Sequence, residues 1–180
     1  MEEILRYLGV KDCDEKTYEK IKEMIGVSEG VLPEKTYACF DAEITENGVK
    51  LSGTDITLLG NLAKKHFSSC KKIIVVLATL GLKSEVLLKR FFAINASKAV
   101  ILDAVFTDKL EKYLDDVESK LREEYGEITS RISCGYGDLP IFLQKDLFKI
   151  IDGERLGVKL NECFMLIPNK SVIALVGVKS

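Results

Sequence analysis

The feature that most limits how this chain can fold is residues 96–125, thirty consecutive positions without a glycine or proline. Ala99, Leu102, Phe106, Leu110, Tyr113 or Leu114, Val117 and Leu121 recur every three or four residues, which predicts one long helix with a single apolar stripe turned to a core. Its other face is charged, and Asp108 with Lys112, Asp116 with Lys120 and Glu118 with Arg122 have the spacing of favourable helical pairs. Gly126 supplies the stop. Such a helix is roughly 45 Å long at about 1.5 Å per residue, so a kink near Ala96 and Ser97 is a natural accommodation.

What the helix packs on is read from the rest of the pattern. Residues 72–79 are almost continuously apolar and β-branched, as in a central strand buried on both faces. Residues 35–45 alternate as a strand, and Asn47-Gly48 is a hairpin signal that returns the chain through residues 49–52. Two further strands are expected at about 158–167 and 171–178, with Pro168-Asn169-Lys170 as their turn, and a short one at 129–133. Helices are expected at 1–8, 14–27 (capped by Asp14), from Thr54 or Asp55 to Phe67, from Ser84 to Ile94, and from Asp138 and Pro140 to Ile151. This order predicts an α+β fold: one domain over 1–180, with a helical segment at 1–32 and a main body at 35–180, and a twisted, mainly antiparallel sheet packed against helices. The Leu102, Phe106, Leu110 stripe is expected to lie on that sheet.

Composition excludes several function classes. Twenty-six basic and 28 acidic residues give a net charge of −2, so there is no basic surface for nucleic acid. The longest apolar run is too short to span a membrane, and the acidic start lacks a signal-peptide pattern, so a cytoplasmic location is expected. Five cysteines in no CxxC pair and a single histidine, His66, offer neither a disulfide framework nor a zinc cluster. Cys39, Cys70 and Cys163 read as small core residues, and His66 as a helix-end or surface residue.

The chemically unusual segment is Arg131 to Asp138, Arg-Ile-Ser-Cys-Gly-Tyr-Gly-Asp. Gly135 and Gly137 let the backbone bend and let a ligand approach it. Tyr136 offers a flat face for a ring or a sulfonium, and Arg131 can hold a carboxylate through two donors. These groups suit a zwitterionic ligand with an aromatic ring, such as S-adenosylmethionine. Taken alone, they equally suit a turn followed by a helix cap.

The segment also resembles the Arg-x-x-x-Gly-Tyr motif in the activation domain of cobalamin-dependent methionine synthase, through Arg131, Gly135 and Tyr136. Residues 143–148 and 156–168 are similar to that family's stretch through its Leu-Thr-Glu-Ser segment and Met-x-Pro, and Ser171-Val172 matches the start of its last strand. Gly53-Thr54-Asp55-Ile56, Ala78-Thr79-Leu80-Gly81 and Leu102-Asp103-Ala104 are similar to its shorter, stand-alone chains. The resemblance implies a component without catalytic residues of its own that binds S-adenosylmethionine through Arg131, Ser133, Cys134, Gly135 and Tyr136. It further implies a cobalamin-bearing methionine synthase subunit as partner, a flavodoxin-like reductant, and reductive methylation of inactive cob(II)alamin on that partner. The alternatives are a reactivation factor for another corrinoid methyltransferase and a non-catalytic interaction subunit.

Asp108 resembles an acidic position near the family's ligand, or is a charge on a solvated helix face. Glu162 is read either as a ligand contact or as a hydrogen-bonded residue at a sheet edge. The sequence departs from the large multidomain enzymes in having Cys134 where they have proline, in ending at Ser180 before a further ligand-contacting tyrosine, and in its N-terminal part. The cobalamin, homocysteine and folate modules are expected on another polypeptide.

Overall fold

A computed structural model describes residues 1–179. Its centre is β4 (Cys70–Thr79), in which every residue from Ile73 onward is buried. The reason is that both faces are covered. Ile73, Val75 and Leu77 meet Phe67, Leu147, Phe148 and Leu166 on one side, while Ile74 and Val76 meet Val117 and Leu121 on the other, as the two-residue pleat requires. β4 pairs antiparallel with β1 (Glu34–Ile44) and with β7 (Ser171–Lys179). β2 (Gly48–Leu51) and β3 (Thr57–Leu59) extend the sheet beyond β1, in the order β3-β2-β1-β4-β7, antiparallel throughout. The α+β architecture with an antiparallel sheet is therefore as the sequence led us to expect.

Helices cover both faces. α1 (Glu2–Tyr7), α2 (Glu15–Glu29), α4 (Gly81–Ile94) and α5 (Ala96–Tyr125) form one layer. α3 (Asn61–His66) and α6 (Gln144–Ile150), the latter entered through a 3-10 turn at Ile141–Leu143, lie on the opposite face. Asp14 caps α2 through a 2.8 Å bond from the Thr17 amide. α4 starts three residues earlier than expected, and the break between α4 and α5 falls at Asn95, whose side chain caps α5 through Lys98 N at 3.1 Å.

Several expectations need correction. In α5, Leu102, Phe106 and Leu110 pack mainly among α1, α2 and α4, with Ala78 and Leu80 at the sheet end. It is Val117 and Leu121, two turns further on, that lie flat on β4 and β7. The helix expected at 54–67 is mostly not helical. Thr54 Oγ1 bonds the Leu51 carbonyl and accepts from Ile56 N, closing a turn that feeds β3, and only α3 is helix. The hairpin forms, but around Glu46-Asn47, with Thr45 N donating to the Gly48 carbonyl at 2.9 Å. Gly48 itself opens β2, because a side chain there would strike the Leu58 carbonyl.

The strand expected at 158–167 does not join the sheet. Asn161 Oδ1 accepts from Cys163 N and Met165 N, both at 2.9 Å. This folds the segment into a tight two-stranded ribbon, β5 (Lys159–Leu160) against β6 (Leu166–Ile167). Cys163 is consequently exposed rather than core, whereas Cys70 is buried and Cys39 half-buried. No helix among the described residues is long and apolar enough to cross a membrane.

Candidate functional site

β7 is an edge strand, and residues 127–132 close that edge without becoming a regular strand. Thr129 N donates to the Gly177 carbonyl at 2.8 Å and Gly177 N donates back to Thr129 Oγ1 at 2.9 Å. Three residues on, Ile132 N donates to the Leu175 carbonyl at 3.0 Å and Leu175 N donates to the Ile132 carbonyl at 2.7 Å. The expected strand at 129–133 is thus reduced to bridges at Ile128 and Ile132. His66, at the end of α3, donates its Nε2 hydrogen to the Ser130 carbonyl at 2.8 Å and fixes the segment from its other side.

The chain then coils into a loop. Tyr136 N bonds the Ser133 carbonyl at 3.2 Å, and Gly135 N and Leu139 N bond across it to the Leu139 and Tyr136 carbonyls. Gly135 and Gly137 have φ of +89° and +56°, which residues with a side chain rarely adopt. This path turns Cys134 inward and leaves Tyr136 70% exposed. Burial pushes the Cys134 thiol up to about 12. It therefore stays protonated at neutral pH and packs beneath the loop instead of acting as a nucleophile.

Asp138, expected to cap the following helix, caps α3 instead. Its carboxylate accepts from Asn61 N at 2.7 Å and Leu62 N at 2.9 Å. Hydrogen bonds from the Leu62 and Asn61 amides hold its carboxyl below the usual range. A group depressed in the folded state stabilises the fold above its unfolded pKa and loses that contribution as the pH falls through the folded value. Asp138→Ala should therefore lower the melting temperature at pH 7. The gap from the parent protein should close as the pH drops below about 4. Melting curves at several pH values check this, and a gap independent of pH would remove the cap from the account.

Between this loop and α5 lies a groove of about 380 Å³, lined by Glu111 and Leu114 of α5, by Ser130, Arg131, Ile132, Ser133 and Tyr136, and by Val172 of β7. Arg131 reaches across to three carboxylates of α5: Asp115 at 2.8 Å, Glu111 at 2.6 Å and Glu118. Burial works against its charge, but its hydrogen bonds to Glu118, Glu111 and Asp115 outweigh burial and hold the guanidinium well above its ordinary range. Glu118 is the buried member and also receives Arg122 at 3.2 Å, while Asp115 is largely exposed. The helical spacing 111, 115, 118 presents all three acids on one side of α5. Sequence reasoning read the 118–122 pair as a local helix contact and missed that 111, 115 and 118 converge on Arg131.

The structure thus brings Arg131, Ser133 and Tyr136 to one groove, while Gly135 bends the loop that carries Tyr136 and Cys134 is buried in that loop. Asp108 and Glu162 line other cavities. Asp108 is only 7% exposed, not on a solvated face. It pairs with Lys112 at 2.7 Å and faces α1 and α2. Glu162 stands exposed in the β5–β6 turn.

The fold is an antiparallel α+β sheet backed by one long helix, with a shallow groove at the closed edge of its last strand. That fold is the fold of a methionine synthase reactivation domain. Over 92% of its length the chain is similar to the crystal structure of the MetH reactivation domain bound to AdoHcy, with a TM-score of 0.65 and 18% sequence identity. It spans 65% of the length of that chain. No family model matches the sequence, and neither does any curated protein.

Proposed function

We propose that the groove binds S-adenosylmethionine and that the chain, as one activation-type unit, serves to reactivate a cobalamin-dependent methionine synthase. The observation that carries this reading is the joint placement of Arg131, Ser133 and Tyr136 at one groove, in the fold of a reactivation domain that has been crystallised with AdoHcy. AdoHcy is S-adenosylmethionine without the transferred methyl.

The groove's composition fits the ligand. Its volume lies within the roughly 300–1,000 Å³ of small-molecule sites. The exposed ring of Tyr136 gives a face for an adenine or a sulfonium. Arg131 supplies donors for a carboxylate, with exposed Asp115 the partner that yields most readily, and Glu111 and Asp115 supply acceptors for an ammonium. The bound methyl donor brings its own leaving group, so the protein's part is to bind, orient and exclude water. No base is required, and the protonated Cys134 thiol offers none. The cobalamin is carried by a partner subunit, with a flavodoxin-like protein as reductant.

Mixed with a partner bearing cob(II)alamin, a one-electron reductant and S-adenosylmethionine, the protein should restore methylcobalamin, followed by absorbance. Alone it should not turn over homocysteine. Tyr136→Ala should slow the restoration at least about tenfold if the ring orients the ligand. If that variant binds and reactivates like the parent, the groove is wrongly assigned. If the parent restores no cobalamin-bearing partner from the same source, an interaction subunit is the better reading.

A further inference from the structure

A cavity of about 900 Å³ lies away from this groove, between α6, the 3-10 turn at Gly153–Leu156 and the β5–β6 ribbon. Lys145 and Lys149 stand one helical turn apart on α6 and Lys159 faces them from β5. All three are exposed, and none of their ammonium groups has a carboxylate within ion-pair distance or a hydrogen-bond partner among the described residues. The floor is apolar, with the rings of Phe148 and Phe164 and the side chains of Val158 and Leu160.

Phe164 is held there at a cost. It is one of two non-glycine residues with positive φ among the described residues, at +61°. Asn161 fixes the turn around it, and Gln144, the only glutamine of the chain and buried, donates its amide hydrogen to the Phe164 carbonyl at 2.5 Å. Such a backbone persists only where the surrounding contacts over-determine it, and here they fix the Phe164 ring at the cavity.

We infer that this cavity is a second ligand site, for a phosphorylated molecule with a planar ring, of the nucleoside monophosphate class. The residue types select that class. Unpaired lysines are compact donors that suit a phosphate, and no arginine lines the cavity to give the planar fork that favours a carboxylate. Two rings on an apolar floor suit a base. Glu154 and Glu162, which also line the cavity, are acceptors for sugar hydroxyls. The site is independent of the S-adenosylmethionine groove and does not rest on it.

The test is an amide-resolved NMR titration of the full chain with AMP, adenosine and inorganic phosphate in turn. AMP should give saturable shifts centred on residues 157–164 and Lys149, and adenosine or phosphate alone should bind at least about tenfold more weakly. The exposed double variant Lys149→Ala, Lys159→Ala should keep the parent spectrum and lose AMP affinity by about tenfold or more. Absence of saturable shifts in 157–164 at millimolar AMP overturns the inference. So do shifts confined to residues 131–136, adenosine binding as well as AMP, or an unchanged affinity in the lysine variant.

Discussion

Arg131→Ala should cost the protein both stability and its proposed ligand. The guanidinium is the point at which the 127–136 segment is tied to α5, through Glu111, Asp115 and Glu118. Removing it leaves three carboxylates of one helix face without their shared cation, and Glu118 is 8% exposed with only Arg122 remaining. Loss of one partner from a buried ion pair typically costs about 3–5 kcal/mol. Because Asp115 and Glu111 are exposed enough for water to replace much of their share, about 2–3 kcal/mol is expected here. That corresponds to a fall in melting temperature of roughly 5–10 °C for a chain of this size. Arg131→Lys keeps a charge but not the planar fork that spans three partners, and should fall between the two. S-adenosylmethionine affinity should drop at least about tenfold in Arg131→Ala. Denaturant melts and binding isotherms on both variants separate the two effects. An unchanged stability would mean that the three-way pairing contributes nothing to holding the segment.

Gly177→Ala should be comparably severe, for a steric reason. Gly177 sits in β7 opposite Ile73, where a strand residue normally carries a side chain. That space is already filled by Cys70, Phe67 and Thr129: a Cβ would come within 2.7 Å of the Phe67 ring and 3.2 Å of the Thr129 methyl, and nearer still to the Cys70 sulfur. Phe67 is fully buried and cannot swing away. Overpacking of this kind costs about 1–3 kcal/mol. It should also displace Thr129, whose backbone and hydroxyl both bond Gly177, so the edge closure under the groove should loosen. Hydrogen exchange should report faster exchange at Thr129 and Ile132 in this variant. Protection equal to the parent's would show that the segment is held by Arg131 and His66 alone.

How much of this was legible beforehand depended on the range of the interactions. The α5 stripe and the apolar run of β4 are local patterns, and both elements formed nearly as read. Asp138 was misread because its acceptor role is exercised on α3, 76 and 77 residues away in sequence, whereas its local setting before Pro140 resembles a helix start. The 158–167 segment is apolar enough for a strand, but Asn161 captures two amides of its own turn and ends the pairing after two residues. The residues of the groove were named from glycines, an aromatic and an arginine in sequence. Its acidic wall was not, since the helical spacing 111, 115, 118 looks like ordinary solvated charge until the 127–132 segment is laid along β7. Asp108, by the same spacing logic, looked solvated and is buried against α1 and α2.

The central claim, that this groove takes S-adenosylmethionine, is tested most directly by calorimetric titration of the parent protein and of Tyr136→Ala and Arg131→Lys with S-adenosylmethionine. Saturable binding at one site in the parent, weakened in both variants while their folded spectra are kept, is the expected result. No binding by the parent, or equal binding in all three, would contradict it.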